Sequence, residues 1–133
     1  MIRVFLDANI LFSAAYREMS VITKLWHMDG VQLVTSPYAV AEVKRNITLK
    51  LPGALERLSH LVARVEVVSS DHRLRDDIVL SEKDRPVLGA AIGARCSVLL
   101  TGDITHFGRL LGETVEGVRV MTASMFRAST ASE

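Results

Sequence analysis

The apolar positions of this chain fall in short runs that alternate with longer stretches of helical spacing. Ile2–Leu6 is a short, mostly apolar run stopped by Asp7. It reads as a strand buried on both faces, as central strands of parallel sheets are. Ala8–Tyr16 and Val21–Met28 are helix-like, with Ser20 as N-cap of the second and Asp29-Gly30 as its stop. Val31–Thr35 predicts a second strand, closed by Ser36-Pro37. Helical spacing returns over Tyr38–Leu49, where Val40, Val43 and Ile47 share one side and Lys44, Arg45 and Lys50 fall mostly elsewhere. Pro52-Gly53 breaks it, and Ala54–Val62 predicts a further helix striped by Leu55, Leu58 and Leu61/Val62.

In the second half, Val65–Val68 predicts a third strand and Ser69–Lys83 is polar and irregular. Asp84–Ala94 predicts a strong helix, started by its acidic first residue and by Pro86 in the first turn. Ser97–Leu100 is a fourth strand ending in Thr101-Gly102-Asp103, and a short helix, Ile104–Leu111, follows. Val118–Met121 is a fifth strand, with a last helical turn after Thr122. Strands alternating with helices argue an α/β fold with a central parallel sheet of four to five strands and right-handed crossovers. With no repeat, low-complexity tract or linker, residues 1–127 are expected to form one domain and 128–133 a flexible tail.

Composition narrows this picture. The chain has 133 residues, 49% of them hydrophobic, which suffices for one cored domain. A charged fraction of 23% and a net charge of +1 exclude a disordered chain and a strongly basic nucleic-acid-binding module. Any grip on nucleic acid must come from local patches and bound metal. The single cysteine, Cys96, permits no internal disulfide and reads as a small buried hydrophobe rather than a catalytic thiol. No apolar stretch approaches the ~20 residues of a membrane span. The first residues lack a signal peptide's apolar region, so a cytoplasmic protein is expected.

The acids carry the candidate chemistry. Ligands of open parallel sheets bind outside the carboxyl ends of the strands. Asp7 follows the first strand directly and Asp103 lies just past the fourth, so the two face each other across a cleft. Glu42, about one turn into the helix after the second strand, reaches the same edge. Asp84 opens the helix that leads into the fourth strand. That helix is expected to start at the opposite edge, so local logic makes Asp84 a capping acid. Each of the others also has an ordinary reading. Asp7 can cap the following helix, Glu42 can pair on the surface with Arg45 or Asn46, and Asp103 can be a turn residue. The combination of two acids at strand ends with a helical acid nearby is harder to assign to such roles.

Four segments resemble the motifs of the PIN-domain family, in the right order and over nearly the whole chain. Val4-Phe5-Leu6-Asp7-Ala8-Asn9-Ile10-Leu11 resembles the first motif, with Ala8 in place of its common Thr or Ser. Ser36-Pro37-Tyr38-Ala39-Val40-Ala41-Glu42-Val43 resembles the second, and Asp84-Arg85-Pro86-Val87-Leu88-Gly89-Ala90-Ala91 the third. Leu99-Leu100-Thr101-Gly102-Asp103-Ile104-Thr105-His106-Phe107 resembles the fourth, the most specific of the set. The resemblance implies a three-layer α/β/α domain in which the helix of the third motif projects its start toward the site. It implies a metal-dependent ribonuclease with Asp7, Glu42, Asp84 and Asp103 as catalytic and metal-ligating acids. It extends to prokaryotic members that include VapC-like toxins of type II toxin–antitoxin pairs. The expected partners are therefore RNA, an antitoxin protein and a second copy of the chain.

Phosphodiester hydrolysis needs an activated water, a stabilised transition state and relief for the leaving oxygen, which hard divalent cations supply. Mg²⁺ and Mn²⁺ take oxygen ligands and keep several waters, so a few carboxylates suffice. Asn9 and Thr101 are expected to orient a carboxylate or a water. Lys44, Arg45 and Lys50 are either phosphate contacts or a solvated helix face. His106 is expected in a surface or capping role rather than at the scissile phosphate, and Phe107 in the core. Trp26, Met19 and Met28 belong either to the core or to a partner-binding face. Among rival readings, a haloacid-dehalogenase-like site needs a second Asp where this chain has Asn9. A phosphoacceptor receiver needs an Asp directly after a middle strand, and Asp71 comes slightly late. A non-catalytic PIN scaffold would be free to lose an acid. A housekeeping nuclease in RNA processing is the alternative to a toxin.

Overall fold

The computed structural model describes residues 1–70 and 72–131. Five parallel strands form the body of the sheet: β1 (Ile2–Leu6), β2 (Val31–Thr35), β3 (Glu66–Val67), β4 (Val98–Leu100) and β6 (Val118–Met121). A two-residue strand, β5 (Thr114–Val115), adds to the edge antiparallel to β6, giving the order β3-β2-β1-β4-β6-β5. This sixth strand was not among those expected. Its hairpin turns at Glu116 and Gly117, both with positive φ (46° and 88°), the geometry that matches strand twist in two-residue turns.

The strands alternate their side chains between two cores. Val4, Leu6, Leu33, Val98, Leu100 and Met121 face one side, against α1 (Ala8–Tyr16), α2 (Pro37–Lys50), α3 (Leu55–Val62) and Phe126 of α6 (Ala123–Ala131). Phe5, Val34, Leu99 and Val120 face the other, against α4 (Arg85–Gly93) and Phe107 of α5 (Ile104–Phe107). A sheet so covered on both faces explains why its strands read as nearly continuous apolar runs. The result is the expected three-layer α/β/α arrangement.

Several elements differ in detail from the sequence reading. Val21–His27 is a 3₁₀ helix, started by Ser20 as expected. Trp26 within it is buried, and its Nε1 donates to the Leu61 carbonyl at 3.0 Å. It is therefore core and not a partner-binding face; Met28 is partly buried in the same core, whereas Met19 is exposed. The helix expected over Ile104–Leu111 divides into α5 and a 3₁₀ turn at Gly108–Leu110. The last helix is longer than one turn and runs to Ala131, into the segment expected as a tail; residues 132 and 133 of that segment lie outside the described residues.

Residues 72–83 carry no helix or strand and lie across α4. Two glycines one turn apart admit this crossing. A Cβ on Gly89 would stand 2.6 Å from the His72 carbonyl oxygen, and one on Gly93 would overlap Ser70. Arg85 then ties the segment down by donating to the carbonyls of Leu74, Arg75 and Ile78 at 2.6–3.3 Å. This tether fixes the approach of Ser81, Lys83 and Asp84 to the sheet edge.

Candidate metal and catalytic site

The strand ends place the first two site residues side by side. Beyond the strands the ladder continues, with Asp7 N–H donating to the Leu100 carbonyl and Thr101 N–H to that of Met121, both at 3.0 Å. Asp7 is buried, with one oxygen accepting from the Ala8 N–H (2.7 Å) and the other from the Thr101 hydroxyl (2.8 Å). Asn9 bridges the same two loops. Its Oδ1 accepts from the Gly102 N–H at 2.7 Å, and its Nδ2 lies 3.4 Å from Asp7 Oδ2. Thr101 is fully buried, and its hydroxyl also accepts from the Asp103 N–H at 3.0 Å. Asn9 and Thr101 thus tie Asp7 to the Asp103 loop by hydrogen bonds.

Glu42 reaches this edge from the second turn of α2. That helix starts sharply, with Pro37 in its first turn and Ser36 Oγ accepting from the Ala39 N–H at 3.2 Å. Glu42 pairs with Lys83 at 3.4 Å, not with Arg45 or Asn46. Asp84 corrects the argument from local spacing. A helix joining two parallel strands runs antiparallel to them, so it starts at the edge where strands end, not at the opposite one. Asp84 accordingly points into the site. Its side chain makes no capping bond to α4; it accepts from Ser81 Oγ at 2.5 Å. Asp103 divides its carboxylate: Oδ1 caps α5 by accepting from the His106 N–H (2.9 Å), and Oδ2 faces His106 Nδ1 at 2.6 Å. His106 Nδ1 also lies 3.4 Å from Asp84 Oδ2. The capping group is therefore Asp103, and the half-exposed His106 ring joins the acids.

Asp7, Glu42, Asp84 and Asp103 line one cavity of about 210 Å³, with Ala8, Asn9, Phe12, Asn46, Lys50 and Lys83 completing its wall. Lys44 and Arg45 are exposed and are not among the lining residues. Lys50, one of the expected phosphate contacts, and Asn46, expected only as a surface partner of Glu42, follow Glu42 at intervals of four and share its helix face. That spacing was the available signal. Lys83 was legible only as the neighbour of Asp84.

Burial pushes the Asp7 carboxyl up to about 6, against hydrogen bonds from Thr101 and the Ala8 N–H that favour its charged form; the charges of Glu42 and Asp84 add to the rise. The Glu42 carboxylate holds the Lys83 ammonium above its ordinary range, through a hydrogen bond and charge. Crowded carboxylates of this kind are relieved by a cation. The donor set suits one: ligand atoms of Asp84, Asp103 and His106 lie within 4.8 Å of one another, and oxygen-rich sites take hard divalent ions. Away from the site, burial raises the Cys96 thiol to about 11, in keeping with an inert core cysteine.

A three-layer α/β/α fold with a carboxylate-lined cavity at the strand ends defines an α/β protein whose site is suited to cations. The chain belongs to the PIN-domain family: the family's sequence model, described as PIN domain, matches residues 3–105. Two solved structures share the fold. One is VapBC2 from Rickettsia felis bound to a DNA fragment from their promoter, with a TM-score of 0.71 and 16% identity over 91% of this chain and 98% of that one. The other is VapBC-1 from nontypeable Haemophilus influenzae, with a TM-score of 0.61 and 15% identity over the same shares. No protein of curated function matches the chain in sequence. Among the described residues, no helix is long and apolar enough to cross a membrane.

Proposed function

We propose that this protein is a divalent-metal-dependent endoribonuclease and the toxin of a type II toxin–antitoxin pair, acting in the cytoplasm. The observation that carries the reading is the convergence of Asp7, Glu42, Asp84 and Asp103 on one cavity in a chain of the PIN-domain family. These four acids are the residues that would hold Mg²⁺ or Mn²⁺. When bound, the ion would polarise a phosphoryl oxygen and ease removal of a proton from water. The chain's own residues do the rest. Thr101 and Asn9 keep the Asp7 carboxylate turned to the cavity. Lys83 and Lys50 stand on the wall as cations for a substrate phosphate. The opening suits a flexible single strand better than an A-form helix, whose backbone is held rigid.

The toxin reading is supported by the shared fold with two VapBC complexes, and it makes an antitoxin the expected partner. A second copy of the chain is proposed as a further partner. Exposed Tyr16 at the end of α1, with Met19 and Val21 just after it, offers apolar surface for either contact.

The test is cleavage of labelled single-stranded RNA with Mg²⁺, with Mn²⁺ and with chelator. Asp7→Asn and Asp103→Asn keep side-chain shape and remove charge. Each is expected to lower the rate by orders of magnitude, and chelator is expected to abolish it. Equal cleavage by wild type and Asp103→Asn would overturn the assignment.

A further inference from the structure

The acids of the site are not equivalent in their surroundings. Asp7 is buried behind Thr101, and Glu42 is paired with Lys83. Asp84 and Asp103 instead share a third group, the His106 imidazole, with Nδ1 at 3.4 Å from one and 2.6 Å from the other. This placement has a local cause. Asp103 caps α5 through Oδ1, so its Oδ2 is turned along the first turn of the helix, where the residue three positions on lies beside it. Asp84 arrives from a different element, the start of α4, with Oδ2 toward the same nitrogen. Three donors from two elements thus converge on one small volume.

We propose that His106 is a ligand of the site's cation, and that the mixed nitrogen–oxygen set of His106, Asp84 and Asp103 selects Mn²⁺ over Mg²⁺. The inference rests on the reading that the acids hold a divalent ion, and it adds which ion and through which atoms. Metal–ligand bonds of about 2.0–2.2 Å place adjacent donors of one ion roughly 3 Å apart and opposite donors about 4.4 Å apart. The three ligand atoms lie within 4.8 Å of one another, which is that range to a few tenths of an ångström. The ring is half exposed, so the shift that opens the His106–Asp103 contact displaces no core packing. Imidazole is a borderline-soft donor. First-row transition ions accept it, Mn²⁺ the least strongly of them, whereas Mg²⁺ keeps to carboxylate, carbonyl and water. An all-carboxylate site favours Mn²⁺ only modestly, and a histidine facing two acids sharpens the preference.

The experiment measures metal binding rather than activity. Mn²⁺ and Mg²⁺ are titrated calorimetrically into the full chain, and the Mn²⁺-loaded protein is examined by electron spin-echo spectroscopy for modulation from a coordinated ¹⁴N nucleus. Wild type and His72→Ala, a histidine that faces Glu116 rather than the acids of the site, are expected to show the nitrogen modulation. His106→Ala and His106→Gln are expected to lose it. Mn²⁺ affinity is expected to fall at least about ten-fold in both His106 variants, since losing a group that only orients a ligand already costs that much, while Mg²⁺ affinity changes less than about three-fold. Two variants of different shape guard against one that folds poorly. Mn²⁺ that binds wild type and is lost in Asp103→Asn, but shows no nitrogen modulation, would overturn the role of His106 and leave the acidic metal site standing. Modulation that persists without His106 would overturn it as well. Wild type that binds Mn²⁺ no better than Asp103→Asn would overturn both this inference and the metal-dependent reading beneath it.

Discussion

The Asp7 carboxyl is shielded from water between the Ala8 N–H and the Thr101 hydroxyl, and its proton leaves only near pH 6. The sign of the consequence follows from linkage. The folded state holds this proton up to about 6, whereas the unfolded chain releases it near 3.8. Stability from Asp7 is therefore fully present below pH 4 and is lost as the pH rises through 6. The difference amounts to roughly 3 kcal/mol for a shift of this size. Asp7→Asn has no proton to lose. In chelator, the urea stability of the variant is expected to gain on wild type by up to about that amount between pH 4 and pH 7. Parallel profiles would mean that Asp7 is better solvated than its burial implies. Metal reverses the argument for wild type, since a cation at the site stabilises the charged form.

At the level of elements, the site depends on a segment without regular structure. Residues 72–83 deliver Ser81, Lys83 and Asp84 to the sheet edge, and Gly89 lets the segment pass over α4 at contact distance. Helix propensity predicts that Gly89→Ala gains about 1 kcal/mol. Packing predicts the opposite, because the new Cβ would meet a backbone oxygen 2.6 Å away, and backbone cannot rotate aside as a side chain does. The expected outcome is a loss of about 1–3 kcal/mol in urea unfolding, typical of overpacking, with weaker Mn²⁺ binding as Asp84 shifts. Gly53→Ala is the comparison: nothing lies within 4 Å of its added Cβ, and the change is expected to be neutral or stabilising. Equal effects at the two glycines would show that the crossing is loose.

For the whole molecule, a net charge of +1 leaves little long-range attraction for RNA. The cations nearest the site are Lys50 and Lys83. If these two make the phosphate contacts, log affinity for single-stranded RNA is expected to fall with log salt at a slope of about −1.4, from roughly −0.7 per contact. Filter binding of Asp103→Asn, which is expected to hold substrate without cleaving it, measures this. A slope steeper than about −3 would mean that four or more phosphates are contacted. It would return Lys44 and Arg45, exposed on the same helix as Glu42, to the interface.

The sequence by itself determined the order of elements, the parallel sheet and most of the acidic set. Those features rest on local causes: a run such as Val4-Phe5-Leu6 is apolar because it is buried on both faces, and Asp7 ends it because the strand ends there. Asp84 was misjudged on spacing and recovered by resemblance, although the antiparallel course of a crossover helix is reason enough for its place. Other features depended on tertiary structure, because they lie in contacts between residues distant in the chain. Val21–His27 takes the 3₁₀ form, and Trp26 within it is buried with its Nε1 bonded to the Leu61 carbonyl. The edge strand β5 is two residues long and carries no periodicity to read. The pairing of Glu42 with Lys83, and the approach of His106 to Asp84, join different elements at the sheet edge. Side-chain periodicity reports which face of an element is buried; only the packed elements decide which polar groups then meet.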